Sequence, residues 1–377
     1  MVDRVSIPSI SSISSISSIE HRTNEMKRAQ PMTPRDRILA TLTFHPVDTI
    51  PLQIFPAAGG LYEHGQKLVD LIKACGHDFY DLSGRALPAP PPPEDFDADG
   101  RYHAFRTDDW GTRWEYRIFG IWGHPVGWPL DDLRNLATWK APAPPPADGP
   151  DFDAAKAAAH VHRKTFPVVA GGGCGIFEKL FSVRRFEDVL MDIQLDTPEI
   201  NRIADIIVEH NAGHVRRGLA LGADVFAFGD DFGTQEAPFF PMPVWRRFFG
   251  RRYDALFAPI RRAGKLIVFH SCGQIGPLLD DFRELGINAI WPQLPLFDLP
   301  ALARRCRDLR LAVQLHPDRG HLMQRATPAE VRDYVRGLVD TFDTLNGGSW
   351  LYIEIDPGFP WKNVQALLDV AMELRRR

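Results

Sequence analysis

The sequence predicts an α/β protein, a (β/α)8 TIM barrel of eight parallel strands that carries a small inserted antiparallel excursion. Short apolar runs alternate with amphipathic stretches, which is the pattern of parallel strands joined by crossover helices. Eight such runs occur in about 345 residues, as a barrel of this class requires. Proline-rich segments at 86–97 and 141–150 enclose a stretch of alternating and aromatic character, which indicates antiparallel strands within an insertion spanning about 86–150.

Composition excludes several classes of protein. The 377 residues include 44 Lys and Arg against 48 Asp and Glu, so the net charge of −4 predicts no nucleic-acid partner. No apolar run reaches the ~18 residues of a membrane helix. Four cysteines in a chain of this size do not make a disulfide scaffold, so we expect a cytoplasmic protein.

The amino terminus repeats a Ser-Ser-Ile unit and lacks the basic start and solid apolar block of a secretory signal. We therefore expect residues 1–31 to be a disordered low-complexity leader and residues 32–377 to form the barrel. The first helix is predicted just after Met32, because Thr33 can cap it, Pro34 suits its first position and Asp36 completes a capping box.

The remaining elements follow from apolar periodicity. The predicted strands are 50–55, 79–82, 167–170, 224–228, 266–269, 289–291, 311–315 and 351–355. Aromatic and aliphatic residues at i, i+3 and i+4 predict a helix over 243–264. Thr327 and Glu330 predict the start of another helix.

Polar residues recur inside the ends of these strands or directly after them, at the carboxyl-end face where barrel enzymes carry their chemistry. They are Asp230, Asp231, His270, Cys272, Gln293, His316, Glu354 and Asp356. We expect Asp230, Asp231, His316 and Glu354 to act in catalysis. Phe55, Gln235 and Gln293 are expected to bind substrate.

His270 and Cys272 form a His-x-Cys pair at the end of a strand. Residues two apart in a strand face the same side, so an imidazole and a thiolate can bind one zinc ion. Glu354 is the preferred third ligand, followed by His316 and Asp230. The alternative is a hydrogen-bonded histidine beside a cysteine that fills apolar space.

Two other motifs have open interpretations. Asp230 and Asp231 can cap the next helix, although the long loop GTQEAPFF that follows favours contact with substrate. His316 can be a ligand, a proton shuttle or a loop-packing residue. The stretch GGGCGIFE (171–178) is not a dinucleotide fingerprint, and its Cys174 lacks the basic neighbour of a nucleophile.

Three stretches carry a resemblance to a known family. The opening of the uroporphyrinogen decarboxylase superfamily is resembled by MTPRDRILATLTFHPVDTIPL. Its central signature is resembled by the region from GADVFAFGDD to INAIWPQ. Its last helix, strand and helix are similar to the stretch from TPAEVRDYV to the C-terminus. The resemblance implies a barrel from Met32 to the C-terminus. One branch of the superfamily decarboxylates uroporphyrinogen without a cofactor, and the other transfers methyl groups to or from a corrinoid, often with zinc.

The resemblance favours the methyltransferase branch. FPAAGGLYEHGQ stands where decarboxylases carry an arginine-containing loop, so the cations for four acetate side chains are missing. FHSCG resembles the His-x-Cys zinc pair of the methyltransferases, which assigns His270 and Cys272 to the metal. Pro357 stands where thiol-activating members have a further cysteine, so Glu354 or Asp356 completes the site or no zinc binds.

We therefore expect zinc-assisted methyl transfer between a small molecule and a corrinoid on a separate partner protein, as in O-demethylation systems. The chain lacks the D-x-H-x-x-G segment of a corrinoid-binding module. The resemblance also implies a homodimer. The alternative function is a cofactor-independent decarboxylase for a smaller acid held by Arg85 and Arg106, and a third is a barrel that binds without catalysis.

Overall fold

The computed structural model describes residues 31–376, so the leader predicted at 1–31 lies, except for its last residue, outside the described part. Within that part, no helix is both long and apolar enough to cross a membrane.

The strands form two sheets. Their bounds are β1 Leu52–Pro56, β2 Ala104–Thr107, β3 Arg113–Tyr116, β4 His124–Gly127, β5 Val169–Gly171, β6 Val225–Gly229, β7 Leu266–Ser271, β8 Ala289–Pro292, β9 Ala312–Leu315 and β10 Ser349–Ile355. The large sheet is parallel and curled, in the order β1-β10-β9-β8-β7-β6-β5, and β2-β3-β4 is a small antiparallel sheet. The α/β class and the inserted antiparallel sheet are therefore confirmed.

The barrel is not closed, because the segment predicted as an eighth strand at 79–82 is not a strand. Side chains of this region form hydrogen bonds with backbone groups of β1 that would otherwise pair with a neighbouring strand. The carboxylate of Asp78 accepts from the backbone N–H of Leu52, and the Tyr80 hydroxyl donates to the Ile54 carbonyl at 2.6 Å. Asp81 then accepts from the Ser83 N–H in a local turn. The prediction of eight strands is wrong at this segment, and an open seam separates β1 from β5.

The helices pack around the parallel sheet. Their bounds are α1 Pro34–Leu42, α2 Ala58–His64, α3 Gln66–Cys75, α4 Pro150–His162, α5 Ile176–Val183, α6 Phe186–Leu195, α7 Pro198–Leu221, α8 Met242–Trp245, α9 Arg251–Arg262, α10 Leu279–Glu284, α11 Leu299–Leu309, α12 His321–Arg325, α13 Pro328–Thr341 and α14 Trp361–Arg375. A π-helical turn joins α8 to α9. The predicted cap of α1 by Thr33 and the capping box of Thr327 with Glu330 on α13 are both present.

Helix α1 packs against residues from the amino-terminal parts of the strands. Its Ile38 and Leu42 are buried in one apolar cluster with Val225, Ala289 and Ala312. Burying an aliphatic side chain of this size stabilises the fold by roughly 1.5–3 kcal/mol. The opposite, carboxyl-end rim is left to the loops that carry the polar residues.

Candidate metal centre and active site

Asp231, His270 and Cys272 converge at the carboxyl ends of β6 and β7. These strands are paired with Gly229 opposite His270, which brings the two following loops side by side. His270 Nε2 lies 3.4 Å from Cys272 Sγ and 3.4 Å from Asp231 Oδ1. One nitrogen, one sulfur and one oxygen thus lie within 4.8 Å of one another, which is a donor set suited to zinc.

The turn after Cys272 requires glycine. Gly273 has φ +82°, and a Cβ there would stand 2.0 Å from the Gly233 carbonyl oxygen of the neighbouring loop. The two loops are also joined by the Gly233 N–H, which donates to the Cys272 carbonyl. Glycine therefore lets the β6 and β7 loops meet, and their contact fixes Asp231 beside His270 and Cys272.

The ring of His270 is oriented for ligation. Nδ1 donates to the Trp291 carbonyl at 2.9 Å, and the indole of Trp291 packs on the imidazole at 4.1 Å between ring centres. This hydrogen bond places the proton of the neutral ring on Nδ1 and leaves a lone pair on Nε2, the atom that faces Cys272 and Asp231.

Protonation of these groups also bears on metal binding. Burial lowers the pKa of His270, so the imidazole is neutral near pH 7. Burial, with the nearby charge of Asp231, raises the pKa of Cys272 to about 12. Without a cation the thiol keeps its proton, whereas a bound metal ion favours the thiolate.

Asp230 is fully buried and holds the start of α5. Its carboxylate accepts from the backbone N–H of Phe177 at 2.8 Å, from the N–H of Glu178 at 2.9 Å and from the Tyr253 hydroxyl at 2.8 Å. Asp230 therefore acts as the cap of α5, the helix that begins inside the GGGCGIFE stretch. The sequence analysis allowed Asp230 to be a helix cap, but of the helix that follows it in the chain, whereas α5 precedes it.

Glu178 is a site residue that the sequence reasoning missed. Burial, together with repulsion from Asp230 and Asp231, raises the pKa of Glu178 to about 8. Burial also raises the pKa of Asp230, but the three donors on that carboxylate oppose the shift. Because those donors favour the charged form, we place the proton of the pair on Glu178. The missed signal was an acidic residue in the first helical turn after a predicted strand.

Glu354, the preferred third zinc ligand, lies in a different group. Arg319 donates to Glu354 at 2.7 Å and lies 3.1 Å from Asp356. His316 Nδ1 accepts from the Trp291 indole at 3.1 Å, so His316 Nε2 carries the proton; it lies 3.7 Å from Glu354. Burial, with the charge of Arg319, lowers the pKa of His316 to about 3, so the ring is neutral. Asp231 replaces Glu354 beside the His-x-Cys pair.

The predicted substrate-binding residues are divided between two places. The Gln293 side-chain oxygen accepts from the Gly273 N–H at 3.1 Å and from the Gln235 amide at 3.4 Å, so this pair supports the His-x-Cys turn. Phe55 is 51% exposed although it lies in β1, opposite Glu354. The Phe55 side chain faces an internal space of the sheet.

Two cavities are formed by this arrangement, each of about 350 Å³. The upper pocket is lined by His270 and Cys272 together with Trp291, His316, Arg319 and Glu354. The interior chamber is lined by Phe55, Phe79, Tyr80, Val225, Val268 and Trp350, with further residues from β5, β6 and β9. Both volumes fall at the lower end of the ~300–1,000 Å³ typical of small-molecule sites.

Fold and site together define a class: an α/β protein with a curled parallel sheet and an Asp-His-Cys group at the carboxyl ends of its strands. The family model for uroporphyrinogen decarboxylase (URO-D) matches residues 126–374, well over half of the chain, and the chain belongs to this family. None of the curated proteins compared with the chain matches it.

Solved structures show where the fold occurs. A methyltransferase from Methanosarcina mazei is similar with a TM-score of 0.58 and 16% sequence identity, over 91% of this chain and 99% of that one. A B12-independent methionine synthase from Shewanella sp. W3-18-1 gives a TM-score of 0.36 at 12% identity, over 74% of this chain and 75% of that one. A dihydropteroate synthase from Xanthomonas albilineans gives 0.32 at 18%, over 42% and 58%. Only the first likeness is strong enough to compare folds.

Proposed function

We propose that the protein is a zinc-assisted methyltransferase that moves a methyl group between a small molecule and a corrinoid carried by a separate protein. The observation that carries the proposal is the convergence of Asp231, His270 and Cys272 within 4.8 Å at the carboxyl ends of the sheet. Membership of the URO-D family and a fold like that of a methyltransferase support the class of reaction.

The donor set fits a zinc ion. The hydrogen bond from His270 to Trp291 leaves Nε2 free to ligate, and the Cys272 N–H donates to Asp231 at 2.7 Å, which holds that carboxylate in place. Asp231, His270 and Cys272 would hold the ion, with an open position toward substrate. Zinc in such a site supplies a Lewis acid that polarises an ether oxygen or lowers the pKa of a bound thiol.

The chain's own groups account for the movement of a proton. Glu178 holds a proton near neutral pH, as a general acid must, and Asp230 positions it through the first turn of α5. In the direction that demethylates an ether, the departing oxygen takes up a proton, and Glu178, whose charge interacts with Asp231 and Cys272, is the group we propose as its source. His316 and Glu354, on the other side of the upper pocket, contact substrate rather than metal in this proposal.

The partner approaches the upper pocket. Methyl transfer to a corrinoid needs a direct path for the methyl group, and the rim of this pocket is formed by the loop 316–320 and the loop after β8. The charged side chain of Arg319 is 45% exposed at this rim. We place the docking face for the corrinoid protein there.

Elemental analysis of the purified full chain tests the metal. We expect about one zinc per chain, retained in Glu354→Gln and in the matched cysteine control Cys306→Ala, and lost in His270→Ala and Cys272→Ala. Loss of zinc in Glu354→Gln but not in Asp231→Asn would show that the ligand set is wrong.

Activity is measured as methylation of a reduced cobalamin, followed by its visible spectrum, with methyl ethers as donors. Chelation is expected to abolish activity, and zinc to restore it. Cobalamin methylation that persists in metal-free wild type would refute the role of zinc. Release of CO2 from a small carboxylic acid by the metal-free protein, without cobalamin methylation, would refute the methyltransferase proposal and favour the decarboxylase alternative, in which no cofactor acts.

A further inference from the structure

A pair of histidines lies on the long helix α7, away from the Asp-His-Cys group. His210 and His214 are about one helical turn apart, so their side chains project from the same face of the helix. The Nε2 atom of His210 lies 3.2 Å from the Nε2 atom of His214. Two histidines four residues apart on a helix can present two nitrogens to one metal ion.

The distance between the two nitrogens fits a shared metal ion. An imidazole nitrogen binds zinc at about 2.0–2.1 Å, so two such nitrogens at a tetrahedral angle lie roughly 3.3 Å apart. The observed separation of 3.2 Å is close to this value. The same separation also suits one N–H···N hydrogen bond between the rings, so the position of each ring proton matters.

His210 is held in the tautomer that a metal ligand needs. Its Nδ1 lies 2.8 Å from the carbonyl oxygen of Pro142, which can only accept, so Nδ1 carries the proton and Nε2 has the free lone pair. Histidine ligands of metal ions almost always make such a second hydrogen bond, because it fixes the ring and raises its basicity. The ring of Trp110 packs against the imidazole of His210 with 4.9 Å between ring centres.

The proline-rich segment that supplies this carbonyl is fixed on α7. A Cβ on Gly213 would stand 2.3 Å from Pro144 Cγ, so glycine lets the segment pack directly on the helix beside the histidines. One turn later, Arg217 donates a hydrogen bond to the Pro146 carbonyl. The segment therefore has two further attachments to α7, which hold the acceptor of His210 in place.

His214 can supply the second lone pair. Burial lowers the pKa of His214, so its ring is neutral near pH 7. Without metal, the Nε2–H of His214 donates to His210 Nε2, and this is the only side-chain hydrogen bond of His214 within residues 31–376. When an ion binds, the proton of His214 moves from Nε2 to Nδ1, which has no competing partner among those residues. The exchange of tautomers releases no proton.

A pocket of about 480 Å³ lies beside the pair, between the antiparallel insertion and α7. Asp109, an exposed carboxylate, also lines this pocket. Within the described residues no third histidine, cysteine or carboxylate atom lies within 4.8 Å of both nitrogens, so water fills the other coordination positions.

We propose that His210 and His214 bind a divalent transition-metal ion at a second metal site. Imidazole ligands suit zinc, copper and nickel rather than magnesium or calcium. Because this site offers two protein ligands and the Asp-His-Cys group offers three, it binds metal more weakly and fills only when metal is added. The second site is independent of the proposed function, since neither histidine lines the upper pocket.

Titration of the full chain with Co²⁺ tests the site. Co²⁺ reports its ligands, because a thiolate ligand gives a charge-transfer band in the near ultraviolet and a pair of imidazoles does not. In the double variant His270→Ala/Cys272→Ala, which lacks the thiolate, calorimetry should show about one Co²⁺ bound per chain. Zn²⁺ should displace this ion, and Mg²⁺ should not. Circular dichroism shows whether the variant is folded.

Alanine variants locate the ion. Added to the double variant, His210→Ala and His214→Ala should each weaken Co²⁺ binding at least about tenfold. His160→Ala, at an exposed position of α4, is the matched control and should leave binding unchanged. In the otherwise wild-type chain, His210→Ala should lower the number of bound Co²⁺ ions by one and leave any thiolate band unchanged, whether or not the double variant folds.

Two results overturn the proposal. One is a folded chain that binds no Co²⁺ outside the Asp-His-Cys group, which would show that the two rings only form a hydrogen bond with each other. The other is Co²⁺ binding that persists unchanged in both His210→Ala and His214→Ala, which would show an adventitious ion only. Zinc content and methyl transfer do not enter this test, so its failure leaves the proposed function untouched.

Discussion

The substitution Tyr253→Phe removes one hydroxyl from the buried group that anchors α5 at the site. That hydroxyl donates to Asp230 at 2.8 Å and accepts from the Ile176 N–H at 3.2 Å. A hydrogen bond to a charged carboxylate contributes roughly 1.5–3 kcal/mol, and leaving a buried N–H unpaired costs about 1 kcal/mol more. The aromatic ring remains, so packing is preserved. We expect the free energy of unfolding to fall by about 3 kcal/mol.

Urea denaturation measures this loss, provided that the slope of the transition is unchanged. Tyr334→Phe is the matched control, because the Tyr334 hydroxyl contributes no hydrogen bond among the described residues, and its cost should stay within about 0.5 kcal/mol. Asp230→Asn combined with Tyr253→Phe should show a coupling energy above about 0.5 kcal/mol. A loss within 0.5 kcal/mol for Tyr253→Phe, or full additivity of the pair, would refute the reasoning.

Three further predictions concern buried ionisable groups. Because the pKa of Cys272 is about 12 without metal, iodoacetamide should alkylate Cys272 slowly in the zinc-free protein at pH 7.5 and much faster above pH 9. Mass spectrometry measures the rate of alkylation. A fast reaction at pH 7.5 would contradict the prediction. Burial lowers the pKa of His77 to about 4, so between pH 6.5 and pH 4 this histidine takes up a proton in the unfolded chain but not in the folded protein. The free energy of unfolding should therefore fall by up to about 3 kcal/mol over this pH range. The fall should be smaller in His77→Gln. Arg319→Gln should destabilise the protein more at pH 8 than at pH 5. Burial already raises the pKa values of Glu354 and Asp356, and without Arg319 these two carboxyl groups must ionise at pH 8 with no cation beside them. Equal losses of stability at both pH values would show that Arg319 does not compensate the two carboxylates.

Apolar periodicity was enough to predict most of the fold. Each predicted run other than 79–82 overlaps a parallel strand, because strands buried on both faces have continuous apolar sequences. The segment 79–82 has the same apolar character. It does not form a strand because the side chains of Asp78 and Tyr80 form hydrogen bonds with the backbone of β1. The periodicity of apolar residues carries no information about such side-chain hydrogen bonds.

The candidate site was predicted in part. The alternation of side chains along a strand predicts from the sequence alone that His270 and Cys272 lie on the same side. It could not rank Asp231 above Glu354, because both acids lie at strand ends, Asp231 after β6 and Glu354 near the end of β10. Only the position of Arg319 shows that Glu354 has another partner. Glu178 was missed because its importance depends on repulsion from Asp230 and Asp231, which lie more than 50 positions away in the chain.

The seam between β1 and β5 has a consequence for how the protein can diversify. A change of side chain within a paired strand disturbs neighbours on both sides, but the segment 78–82 joins the sheet mainly through its own side chains and a few backbone groups. Phe79 and Tyr80 form part of the chamber wall from this segment. Substitutions at these two positions alter the space available to a ligand while the parallel ladder stays intact. New ligand preferences can therefore arise there through few mutations, without redesign of the scaffold.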